Sequence, residues 1–194
     1  MDLPDGGGTK DRILEAGLRL FGTRGYEGVG VQEVAEFAGI TKPSLYHHFG
    51  SKRGLLEGIF EVKATPLCQE VAKACVYEKD AKRSLETLAQ AMGQYARGQS
   101  DFYRLLLALW FAPPDSEAHD VSRQWNAKLF ESVESLFVSM AGQHGNMKGR
   151  HSAYAASFLG MVNTMIGLAL NGYREFEGEA LRSAVKYFMH GIFS

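Results

Sequence analysis

Residues Val31–Arg53 read VQEVAEFAGITKPSLYHHFGSKR, the pattern of two short helices joined by a tight turn. In the first, Val31, Val34, Ala35 and Ala38 recur at i, i+3, i+4 and i+7 and share one buried face. Gly39 then suits a helix end in the left-handed region, where a Cβ would clash. Thr41 can cap the second helix through its hydroxyl. That helix buries Leu45 and Phe49 and leaves Lys42, Ser44, Tyr46, His47 and His48 on its remaining surface. A helix, a glycine turn and a second helix with basic and hydroxyl groups outward make a helix-turn-helix. No acidic residue occurs from Gly39 to Arg53, so phosphates can approach this surface without repulsion.

The same residues carry a specific resemblance. AEFAGITKPSLYHHFGSK resembles the signature of the tetracycline-repressor (TetR) family of bacterial transcription regulators, in its A-x-x-A-G-I-T spacing, its L-Y-x-H-F core and the S-K that follows. The preceding helix and its exit, LFGTRGYEGV, extend the likeness over Thr9–Phe60. Two positions depart from it. Val29 and Gly30 stand where the family has a capping Thr or Ser, which removes a hydroxyl that would touch a phosphate. Pro43 sits near the start of the second helix, where its missing N–H costs little.

The glycine run and Pro4 make residues 1–8 an expected disordered arm, and the resemblance implies an all-α chain with a three-helix helix-turn-helix DNA-binding domain (9–51) and a helical ligand-sensing and dimerisation bundle (52–194). It implies base contacts from Lys42, Ser44 and Thr41 and phosphate contacts from Tyr46, His47 and Lys52, since cationic and hydroxyl groups suit groove and backbone. The expected partners are double-stranded operator DNA, a second copy of the chain and an unidentified small-molecule effector.

The chain has 194 residues, is 45% apolar and carries a net charge of −1, so it can bury a substantial core. A neutral total does not by itself point to nucleic acid; the positive charge is local to the motif. MDLPDGGGTKD has no apolar h-region, which makes a cytoplasmic location the expectation. Cys68 and Cys75, seven residues apart on one helix, would lie about 10 Å from each other, beyond disulfide reach. Ordinary thiols are expected, with redox pairing across subunits as the alternative.

Beyond the motif the chain reads as further helices. Thr9 is the expected cap of the first, whose stripe is Ile13, Ala16, Gly17, Leu20 and Phe21. Ser51 caps a helix reaching to about Tyr77, in which Pro66 predicts a kink or break. Lys82–Gly98 carries an apolar side, and the LLLALWFA run at Leu105–Ala112 is apolar all round, which predicts burial on every side. A long helix over Ser116–Gly142 follows, then the loop QHGNMKG. Ser152–Tyr173 holds 22 consecutive uncharged residues, enough to raise a membrane span. Within it Ala153, Ser157, Gly160, Thr164, Gly167 and Asn171 form a heptad line of small residues suited to close helix pairing. With Leu181, Val185 and Phe188 of the striped helix Glu179–Phe193, this seam is the expected dimer interface. The soluble bundle is preferred over a membrane anchor.

No catalytic chemistry is legible. The histidines show no metal-binding spacing, and His47 and His48 lie about 100° apart around a helix and cannot converge on one ion. No nucleophile elbow or nucleotide-binding fingerprint occurs. The chain is expected to be no enzyme and to hold no metal or cofactor. The C-terminal aromatics and methionines are mostly core, but a bundle rich in them can leave a cavity. The expected ligand contacts are Met92, Tyr95, Tyr103, Trp110, Phe111, Trp125, Met161 and Met165, with Arg104, His119, Arg123, Asn126 and Asn163 as orienting groups. The alternative function is a DNA-bound adaptor whose C-terminal part binds a protein and senses no small molecule.

Overall fold

A computed structural model describes residues 8–142 and 147–190; the expected arm, most of the 143–149 loop and the end of the last helix lie outside them. The described residues form α1 (Thr9–Arg24), α2 (Val31–Phe37), α3 (Lys42–Phe49), α4 (Lys52–Ala74), α5 (Ala81–Gly98), α6 (Ser100–Trp110), α7 (Glu117–Ala141), α8 (His151–Leu170) and α9 (Gly178–His190), with no strand among them. The all-α expectation holds. Contacts group the helices into two compact units. One ends at Thr65 and also takes in Asp101–Trp125; the other comprises Pro66–Ser100 and the chain from Asn126 on. Thus α4 and α7 each contribute residues to both.

In the first unit, α1 buries Ile13, Leu14, Ala16, Leu18, Leu20 and Phe21, and α4 meets the same core with Leu55, Leu56, Ile59 and Phe60. The cap of α1 differs from expectation. Gly8 is the N-cap and Thr9 the first helical residue, because the Asp11 carboxylate accepts the Gly8 N–H at 3.1 Å and fixes the first turn one residue earlier. Gly22 sits so close to α6 that a Cβ would lie 2.9 Å from the Asp101 carbonyl oxygen, so the approach of α1 and α6 requires glycine. The rings of Phe60 and Phe102 meet edge to face at 5.3 Å between them.

One expectation for this part is narrowed and another corrected. Pro66 does not break α4, which runs on to Ala74. Both Pro66 and Val62, whose carbonyl loses its N–H partner, are exposed, so water can take the place of the missing bond. Nor is α6 buried on every side. Phe102, Leu105, Leu106 and Leu109 face the core, whereas Ala108 and Trp110 face outward and Phe111, just past the helix end, is 85% exposed. Core lies on one side of this helix only, whatever its composition.

In the second unit α5 lies against both α8 and α9. Phe137, Phe158 and Phe188 form a cluster with ring centroids 5.2–6.2 Å apart. Phe176 packs over Gly93, where a Cβ would lie 3.4 Å from its ring. By length and composition α8 could cross a membrane, yet only 28% of its apolar window is buried within the chain.

Candidate nucleic-acid interface

The interface is built on α2 and α3. Gly39 has φ of 65°, the left-handed conformation that lets the chain reverse between the two helices. Thr41 caps α3, its Oγ accepting the Ser44 N–H at 3.4 Å, and Pro43 occupies the first turn, where no intrahelical donor is lost. Leu45 is fully buried beneath α3, and its burial fixes which side faces out. Thr41, Lys42, Tyr46, His47 and His48 are exposed and Ser44 is half-buried. The Lys42 ammonium lies 5.8 Å from the Tyr46 ring centroid. Here α3 presents two hydroxyl-bearing residues at its start, then a cation and a phenol, with no carboxylate on the helix.

The start of α4 adds a second group of donors. Ser51 Oγ accepts the Gly54 N–H at 2.9 Å, and the first turn of α4 contains no acidic residue, so its partial positive charge stays available to an anion. The Lys52 ammonium stands 4.0 Å from the Tyr26 ring centroid. Tyr26 is buried, stacks edge-on against Phe21 at 5.1 Å and donates its hydroxyl to Glu117 Oε2 at 3.0 Å. Burial, followed by that hydrogen bond and the carboxylate charge, pushes the phenol well above the ordinary tyrosine range. Arg53 donates to Asp120 at 2.6 Å and to Glu57 at 2.8 Å. The guanidinium hydrogen bond holds the Asp120 carboxyl below its usual range. Sequence reasoning placed Lys52 here but missed Tyr26, Arg53, Glu117 and Asp120. Tyr26 and Glu117 are 91 residues apart, and no local spacing could have paired them.

The expected ligand residues divide between the two compact units. Tyr103, Trp110, Phe111 and Trp125 belong to the first compact unit, Met92, Tyr95, Met161 and Met165 to the second. Tyr103, Trp125 and Met92 are core, while Trp110 and Phe111 point to solvent. The second unit contains a recess of about 200 Å³ whose walls include Leu85, Phe137, Met140, Tyr154 and Phe188. None of the eight expected residues lines it.

The expected dimer residues divide by helix. On α8, Ala153, Ser157, Gly160 and Thr164 are exposed and Gly167 is half-exposed, leaving the small-residue line uncovered by its own chain. On α9 the structure corrects the expectation: Leu181 and Val185 are buried within the chain and Phe188 contacts Phe137 and Phe158. Leu181 and Val185 are thus covered by their own subunit, and Phe188 is half-buried. Tyr187, 64% exposed, is on the outward side of α9.

Among the described residues no cluster of His, Cys, Asp and Glu has the makings of a metal site. Residues 13–59 match the family model described as bacterial regulatory proteins, tetR family. The chain is 31% identical over 97 residues to the HTH-type transcriptional activator FasR of Mycolicibacterium smegmatis, a match covering 50% of this chain and 44% of that protein. It is 40% identical over 48 residues to IcaR, the biofilm operon negative regulator of Staphylococcus aureus, covering 25% and 26% of the two. The chain thus spans less than half the length of these curated relatives. Among solved structures it resembles AibR, determined with isovaleryl coenzyme A and operator DNA, at a TM-score of 0.69 and 26% identity over 95% of this chain and 97% of that one. Residues 13–59 thus carry the DNA-binding domain of the tetR family of bacterial regulatory proteins, and the fold resembles that of AibR along 95% of the chain.

Proposed function

We propose that the chain is a ligand-responsive, homodimeric transcription regulator that represses from its operator and is released when a small, largely apolar effector binds the C-terminal helices. The observation that carries the DNA-binding part is the outward face of α3: Lys42, Tyr46 and His47 exposed, Thr41 capping, and no acid from Gly39 to Arg53. In this reading Lys42, Ser44 and Thr41 read bases, and Tyr46, His47 and Lys52 hold phosphates. The functional division follows the DNA-contacting helices α1–α3 (9–51) and the remainder (52–194). A regulator of chromosomal genes works in the cytoplasm. The uncharged face of α8 then meets a second copy, not lipid: its exposed side chains are small, which favours close helix contact.

AibR, solved with an acyl coenzyme A, supports an effector that carries a short acyl group. The recess walled by Leu85, Phe137 and Met140 offers such a group an uncharged lining. FasR is named an activator and IcaR a negative regulator, so the sign of control is the part most directly in need of test. The adaptor reading has one observation in its favour, the exposed Trp110 and Phe111.

An electrophoretic shift with the DNA upstream of the chain's own gene, repeated with a series of short-chain acyl thioesters, decides between them. Repression with effector release predicts a salt-sensitive shifted band that one thioester abolishes. A band that no small molecule changes supports the adaptor, and no band at any salt concentration removes the DNA-binding reading.

A further inference from the structure

The first turn of α7 carries two carboxylates that are spent on the DNA-facing part of its own compact unit. Tyr26, in the α1–α2 connection, is 3% exposed and held from two sides: its ring against Phe21, its hydroxyl on Glu117. Its ring face carries the Lys52 ammonium at 4.0 Å. One residue further, Arg53 is held by Asp120 and by Glu57 of its own helix, and Asp120 also has Arg123 at 3.8 Å. Glu27 adds a smaller negative charge near Tyr26.

We propose that Glu117 is a positioning residue for DNA binding: it fixes the Tyr26 phenol, and the Tyr26 ring seats the Lys52 ammonium. The inference rests on the reading of Lys52 as a phosphate contact. A lysine side chain is a flexible stem with a mobile charge, and holding it against a rigid ring removes much of the ordering cost at the moment a phosphate arrives. The ring covers one side of the ammonium only, so N–H donors remain for the anion. Acidic residues beside a DNA-binding surface ordinarily weaken it by repulsion. The arrangement here predicts the reverse sign for Glu117, and that reversal is its signature.

The test measures binding of a random-sequence duplex across a salt series, with thermal melting of each variant, for the parent, Glu117→Ala, Glu117→Gln, Lys52→Ala and the double variant Lys52→Ala/Glu117→Ala. Glu117→Ala is expected to bind about three- to tenfold more weakly despite losing a negative charge, and to flatten the slope of log K against log salt by about 0.9 for each bound subunit. Glu117→Gln keeps an oxygen for the phenol and should retain parental binding. In the Lys52→Ala background, Glu117→Ala should change neither affinity nor slope. Tighter binding by Glu117→Ala, an equal loss in the Gln variant, or a full further loss in the Lys52→Ala background would each overturn the proposal. The last pattern marks a purely structural role. A parent that shows no salt-dependent binding removes the DNA-binding reading and this inference with it, and that result precedes any variant.

Discussion

Lys42 and Lys52 differ in setting although both are cations near the motif: Lys42 is exposed beside Tyr46 at the start of α3, Lys52 half-buried over Tyr26. Lys42→Ala should lower operator binding by about 1–3 kcal/mol and flatten discrimination between operators. Lys52→Ala should weaken binding to every sequence alike and reduce the salt slope by about 0.9 for each bound subunit. Titrations on true and scrambled operator separate the two, and identical behaviour would reverse the roles assigned here. Tyr95 offers a check without DNA. Burial, with a smaller contribution from Cys68, pushes its phenol up to about 12. A folded pKa above the unfolded value of about 10 means the native state holds the proton more tightly. Its stabilisation is complete below pH ~10 and is lost as pH rises toward 12. Denaturant midpoints across that range should fall more steeply for the parent than for Tyr95→Phe. Residue by residue, Gly39 and Thr41 were legible because turn and cap are local chemistry. The Tyr26–Glu117 bond was not, since only the tertiary fold brings its partners together.

The elements were more legible than their burial. Periodicity and caps place all the helices to within a few residues, yet α6 shows that an apolar run does not say how many sides of it will be covered. α9 shows the converse: its stripe of Leu181 and Val185 reads equally as core or as interface, and the subunit uses it as core. The small-residue line of α8 is left uncovered by its own chain. Gly160→Leu places a large side chain on that line at a site where a Cβ would meet open space in the single chain. It should therefore leave the subunit folded and drive the sedimentation coefficient toward the monomer; an unchanged dimer would locate the interface elsewhere. Within α4, Pro66→Ala restores an N–H to the Val62 carbonyl and removes the ring from the helix interior. We expect about 1–3 kcal/mol of added stability in urea unfolding. No gain would mean that water already replaces the missing bond in full.

At the scale of the molecule, α4 and α7 each contribute residues to both compact units, and both begin at the DNA-facing cluster, α4 with Lys52 and α7 with Glu117. An effector can act on DNA binding only by preferring one state of the protein over another, and the preference is reciprocal. Saturating operator should weaken effector binding by the same factor by which effector weakens operator binding. Calorimetry of the effector with and without operator measures this, and equal affinities would uncouple the pocket from the DNA. The open face of α8 bears on something else, the arithmetic of gene dosage. An operator that needs two recognition helices is occupied only by pairs of chains. Below the dimerisation midpoint the number of pairs rises with the square of the number of chains. Halving the copies of the gene would then leave about a quarter of the bound regulator, and the regulated promoter would respond to dosage as a threshold and not as a slope.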